Sequence, residues 1–160
     1  MLQSMTSLLQ AGRPQKSYAT IEPGIAPLVA AMNRTGLMRT IASCEGHWYR
    51  AMRPYVFFEA SIQIGREFAR LLHEDSIAQA PQLLYEWRLD PCFDQDYQIR
   101  FRLSSPQLSS LYIWRPTRLR HDFETLASMI QKLGFQFKNR TIHHIEYACG
   151  ADRSTPLRHV

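Results

Sequence analysis

Residues 40–47 read Thr-Ile-Ala-Ser-Cys-Glu-Gly-His, which sets a hydroxyl, a thiol, a carboxylate and an imidazole around one glycine. Reactive groups of this kind gather where a rigid strand hands over to a loop. Gly46 lets the chain turn sharply there, and Ser43 with the neighbouring amides offers donors to an anionic or carboxylate group. Ser43 and Gly46 are the candidate ligand-positioning residues on this reading. Glu45 and His47 are the candidate acid and base, because an imidazole titrates near neutral pH. A Cys44 nucleophile activated by His47, three positions on, is the alternative chemistry. The plainer reading is a close-packed turn, since Cys, Ser and Gly are common wherever a strand packs and reverses.

Cys44 and His47 also have the C-x-x-H spacing of metal ligands, with His143, His144 and Cys149, on a predicted adjacent strand and its exit, as further candidate donors. Zinc sites carry two close ligand pairs, and adjacent histidines on a strand point to opposite faces. No metal is therefore expected. Gly-rich phosphate loops, dinucleotide fingerprints and H-E-x-x-H runs are absent from the sequence. A second kind of chemistry lies in the basic residues. Arg115, Arg118 and Arg120 follow Tyr112 and Trp114, and Arg50 and Arg53 follow Trp48 and Tyr49. Aromatic and basic residues interleaved in this way can stack bases and neutralise phosphates, so nucleic acid is a candidate partner. The same residues would also serve as a sheet edge covered by arginine stems.

The octet needs elements to hold it. Ile25, Leu28, Val29 and Met32 recur at helical spacing after Pro23, and Gly36 suits a left-handed cap, which predicts a helix over 23–35. Strands are predicted over 37–44 and 55–61, bracketing the octet's polar loop. Ile64, Phe68, Leu71 and Leu72 predict a second helix ending near Glu74. A hairpin is predicted from strands over 83–89 and 97–103, with Asp90, Pro91, Asp94 and Asp96 in its turn. Asp122 is placed as the cap of a last helix carrying Phe123, Leu126 and Ile130. Gly134 is placed as its stop, and a final strand over 135–148 follows. Hairpins outnumber crossovers in this order, so the expected class is α+β, with a mostly antiparallel or mixed sheet and about three helices packed on one face.

Bulk properties narrow the class further. A chain of 160 residues with 45% hydrophobic and 21% charged residues suits one folded domain. Residues 21–150 form that domain on this reading, between an arm over 1–20 and a tail over 151–160. No apolar run reaches the length of a membrane span, so no membrane partner is expected. Cys44, Cys92 and Cys149 are odd in number and widely spaced, which points away from a disulfide framework and toward a cytoplasmic protein. The net charge of +5 is compatible with an anionic partner and equally with an ordinary solvated surface.

The octet, set between a helix ending at Gly36 and a strand from Tyr55, resembles the Thr-x-Ser-Ser-Cys-Ser-Gly-Arg element of the tRNA wybutosine-synthesising protein 3 family. Thr40, Ser43, Cys44 and Gly46 are the matching positions. The late Leu-Gly-Phe at 133–135 is similar to that family's turn into its last strand. The resemblance implies an α+β domain that binds S-adenosylmethionine and methylates a modified guanosine in tRNA, with Ser43, Cys44 and Gly46 near the ligand. Glu45 and His47 stand where that family has serine and arginine, which alters the charge of the site. The octet also resembles a Ser-Cys-Glu-Gly-His run in small bacterial proteins associated with mobile elements. Those proteins have no assigned activity; the alternative to a methyltransferase-like role is a non-enzymatic nucleic-acid-binding or accessory protein of a mobile element, acting through Arg115, Arg118, Arg120 and the nearby aromatics.

Overall fold

The apolar stripe of the first helix becomes α1 (Ala26–Thr35), whose Leu28, Val29, Ala31 and Met32 are buried. Pro27 sits in its first turn, where a missing N–H costs nothing, and Gly36 closes it at φ 71°. The structure is a computed structural model; it describes residues 20–47, 52–109 and 115–150, and for 140–150 only the helical backbone. The expected arm and tail lie outside these residues, apart from Thr20.

Two strands follow, β1 (Met38–Cys44) and β2 (Tyr55–Ala60), then α2 (Ile62–Ser76). Ser61 caps α2 by accepting from the Ile64 N–H at 3.3 Å. After an irregular stretch come β3 (Arg88–Phe93), β4 (Ile99–Ser104) and α3 (Pro116–Gly150). The four strands form one antiparallel sheet in the order β1-β2-β4-β3. With three helices beside it the fold is α+β, as the periodicity predicts. Among the described residues no helix is long and apolar enough to cross a membrane.

Burial alternates across the sheet. Val56, Phe58, Phe101 and Leu103 are buried with the apolar faces of the helices, whereas Tyr55, Phe57, Glu59, Arg100 and Arg102 between them are half-buried or exposed. The open face carries ion pairs from Arg39 and Arg100 to Glu59, and from Arg100 to Asp94, and the Arg102 guanidinium lies 5.4 Å from the centre of the Tyr55 ring. On the covered face α2 approaches β4 closely. A Cβ built on Gly65 would lie 2.3 Å from the tip of the Phe101 ring. Gly65→Ala is therefore expected to cost about 1–3 kcal/mol through overpacking, despite the roughly 1 kcal/mol by which alanine favours a helix over glycine. Urea unfolding followed by circular dichroism checks this, and a stabilised variant would mean that α2 does not rest on Phe101.

Three expected elements differ from those found, each for a tertiary reason. The strand over 83–89 is displaced to Arg88–Phe93 because the preceding amides are taken by side chains. Asp75 accepts from Gln82 N and Leu83 N, Asp122 from Leu84 N and Tyr85 N, and Gln107 from Glu86 N. Pro91 accordingly lies within an edge strand, where its lack of a donor is tolerated, and not in the turn. Asp122 is not a cap: it lies inside α3, fully buried, holding that stretch in place. Gly134 does not end the helix either. A Cβ there would meet the Thr35 side chain at 2.9 Å, so the glycine permits close approach of α1 and α3, and the chain continues helically to Gly150 where a strand over 135–148 was expected.

The direction of the helices places the site. Cys44 pairs with Tyr55, Tyr55 with Ser104, and Ser104 with Arg88, so these four residues mark one end of the sheet. α1 begins at that end, beside Glu45, and finishes at Thr35 before β1 starts. α3 starts there too, since Asp122 binds residues just ahead of Arg88, and it passes Thr35 at Gly134. The two helices run in the same direction, and both bring their N-terminal turns to the end of the sheet where the octet lies.

Candidate functional site

β1 delivers the octet as its spacing predicts: a bulge between Thr40 and Ala42 interrupts the ladder, and the strand ends at Cys44. Gly46 follows at φ 90°, a conformation that favours glycine. His47 then closes a loop through paired backbone hydrogen bonds with Met52, at 2.9 and 3.2 Å. Trp48, Tyr49 and Arg50 lie outside the described residues, and Arg53 is exposed.

The turn is organised by a residue the octet does not contain. Glu22, in the lead-in to α1, places Oε1 2.6 Å from His47 Nε2 and accepts the Glu45 N–H on Oε2 at 2.5 Å. The exchange is reciprocal, because Glu45 Oε2 accepts the Gly24 N–H at 2.7 Å. Glycine at position 24 leaves room for this contact, since a Cβ there would fall 2.5 Å from Glu45 Oε2 and displace the carboxylate. Two carboxylates thus stitch the start of α1 to the end of β1.

These bonds decide what the turn can offer. The Glu45 amide goes to Glu22, the Gly46 amide donates to Cys44 Sγ at 3.4 Å, and the His47 amide goes to Met52. The backbone donors expected to face a carboxylate ligand are therefore engaged within the protein. Thr40 is drawn away from the turn: its Oγ1 accepts from Asn33 Nδ2 at 2.8 Å and its amide donates to Asn33 Oδ1 at 3.0 Å, tying β1 to the end of α1. Ser43 remains at the turn, half-buried, beside Val56 of β2.

Cys44 is buried, and burial pushes its thiol up from the ordinary value. The Glu22 and Glu45 carboxylates add to that rise, while the Gly46 N–H opposes it. An activated nucleophilic cysteine needs the opposite environment, so the thiol is not poised for attack. His47 is different in kind. Its imidazole is half-buried and oriented by a carboxylate, the arrangement that fixes a histidine for proton transfer or ligation. The Cys44 Sγ, a Glu22 carboxylate oxygen and a His47 ring nitrogen all lie within 4.8 Å of one another. Sequence reasoning missed Glu22 because it stands 22 positions ahead of Cys44 with no local motif to mark it.

The second set of site residues lies at the start of α3. Arg115, Arg118 and Arg120 are exposed around the buried Leu119, and no acidic residue occupies the first turn. None of the three has an acidic partner among the described residues. Leu111 to Trp114, with the aromatics expected to accompany them, lie outside the described residues, as do the side chains of His143, His144 and Cys149. The octet and the arginines therefore share one end of the sheet, whose outer strands β1 and β3 are three spacings, roughly 14 Å, apart.

Comparison with known proteins identifies no relative: no family model, no curated protein and no solved structure matches this chain.

Proposed function

We propose that this domain binds nucleic acid through its phosphates, at the end of the sheet where α3 begins. The observation that carries this reading is the charge arrangement at that helix end. Arg115, Arg118 and Arg120 are exposed where a helix already presents partial positive charge, and no first-turn carboxylate offsets them. A cation there costs about 0.3–1 kcal/mol against the helix dipole. An anion bound across the helix start reverses that cost, because its charge is met both by guanidinium groups and by the Thr117 and Arg118 amides, which precede the intrahelical ladder that begins at Leu119. Arg115 and Arg118, three positions apart, flank one side of Leu119, and Arg120 flanks the other. A phosphate chain crossing the helix end can meet both sides. The excess of basic over acidic residues, 19 against 14, favours such a partner by long-range attraction.

Binding through phosphates is independent of sequence, and the candidate acid and base Glu45 and His47 are not required for it. A methyltransferase-like activity finds less support, since the amides of the octet are engaged internally. The test is fluorescence anisotropy with a labelled single-stranded oligonucleotide in low salt. A variant with Arg115, Arg118 and Arg120 all changed to alanine is expected to bind at least about tenfold more weakly, with its circular dichroism unchanged. Equal affinity in a folded triple variant would remove the reading.

A further inference from the structure

We propose that Glu22, Cys44 and His47 form a binding site for a divalent transition-metal ion of the zinc type. The three side chains come from different parts of the chain: Glu22 precedes α1, Cys44 ends β1, and His47 follows the Gly46 turn. They converge so that one donor atom from each lies within 4.8 Å of the others. Around a tetrahedral zinc with bonds of about 2.0–2.3 Å, donors sit roughly 3.4–3.6 Å apart. A pair at that limit would close by about an ångström, and the Glu22–His47 pair, now at 2.6 Å, would open by nearly as much.

The donor set is chemically selective. A thiolate, an imidazole and a carboxylate together suit zinc and its neighbours, whereas magnesium and calcium take oxygen ligands. Three protein donors leave the fourth tetrahedral position for water or a ligand atom. The surroundings also resemble the outer shell that metal ligands require. Glu22 is held through Oε2 by the Glu45 N–H, which leaves Oε1 directed at His47. The Gly46 N–H donates to Cys44 Sγ at 3.4 Å, a bond that strengthens when the sulfur is a thiolate. Glu45, fixed by the Gly24 N–H, adds a second negative charge beside the centre. A His–Glu ion pair alone would explain the 2.6 Å contact but would need neither the sulfur within reach nor an amide aimed at it.

This inference stands apart from nucleic-acid binding, and either can fail without the other. The experiment is cobalt titration of the full-length, metal-stripped chain, followed by absorption. Saturable uptake of one equivalent is expected, with a thiolate-to-cobalt charge-transfer band that excess zinc removes. The band should vanish in Cys44→Ser and persist when Cys92 and Cys149 are both changed to serine. Glu22→Gln and His47→Gln, nearly isosteric and checked by circular dichroism, should each weaken uptake at least about tenfold. These two variants decide the matter if Cys44→Ser does not fold. Absence of saturable uptake by the wild-type chain would overturn the proposal. So would a band that follows Cys92 or Cys149, or affinity unchanged in both Glu22→Gln and His47→Gln.

Discussion

Asp122→Ala is expected to lower the stability of this protein by about 3–5 kcal/mol, because three donors, two of them buried, lose their acceptor at once. Asp122 is fully buried; Oδ1 accepts the Leu84 N–H at 2.8 Å, and Oδ2 accepts the Tyr85 N–H at 3.0 Å and the Trp87 indole N–H at 2.9 Å. Hydrogen bonds to a charged acceptor contribute about 1.5–3 kcal/mol each, and they are not additive. Asparagine is not expected to rescue the site. It would turn an amide donor toward one of these donors, since Oδ2 alone serves two of them. Urea unfolding measured by circular dichroism and by tryptophan fluorescence checks the loss. A cost below about 1 kcal/mol would show that water satisfies this stretch equally well.

Phe58→Ala is expected to cost about as much, roughly 3–5 kcal/mol, for a different reason. Phe58 is fully buried on the central strand β2, with its ring stacked on Phe101 at a centroid distance of 5.7 Å. Removing it leaves a cavity under the helices that the sheet cannot close. Phe57, its neighbour on the opposite face, is only half-buried. Phe57→Ala should therefore cost about 1 kcal/mol or less, since the lost burial scales with the apolar area removed from water. The pair measures the one-sidedness of the sheet. Equal costs would mean that the second face is covered as closely as the first.

These two residues also show how much of the fold the sequence discloses. The strand after the octet is legible because β-branched and aromatic residues, Tyr55 to Phe58, follow a polar loop, and α1 because its apolar spacing ends at a glycine. The stretch over 83–87 was not, because it is apolar enough for a strand, yet its amides are claimed by Asp75 and Asp122 from two helices. An aspartate before an apolar run reads as a cap, and only the packed structure reveals that Asp122 serves a remote segment. Gly134 misleads in the same way: a glycine late in a helical pattern reads as a stop, but this one admits Thr35. The candidate site was legible in part. Cys44, Gly46 and His47 are adjacent in sequence and remain adjacent in space, whereas Glu22 joins them only through the fold.

The stitched turn and the basic helix start lie at one end of the molecule. Carboxylates join α1 to β1 there, and α3 begins at the same end with positive charge that no acidic residue pairs among the described residues. A substitution in the stitching is expected to act on the turn locally, while alanine at the arginines is expected to weaken partner binding without lowering stability, since it removes charge that opposes the helix dipole. That separation makes the arginines the cleaner point of attack.

The most direct measurement is the salt dependence of oligonucleotide binding. If Arg115, Arg118 and Arg120 each neutralise a phosphate, the logarithm of the association constant should fall against the logarithm of salt concentration with a slope of about −2 to −3, since single strands contribute roughly −0.7 and duplexes −0.9 per contact. The triple alanine variant should flatten that slope by about the same amount. No binding in low salt, or a slope that the three substitutions leave unchanged, would contradict the account.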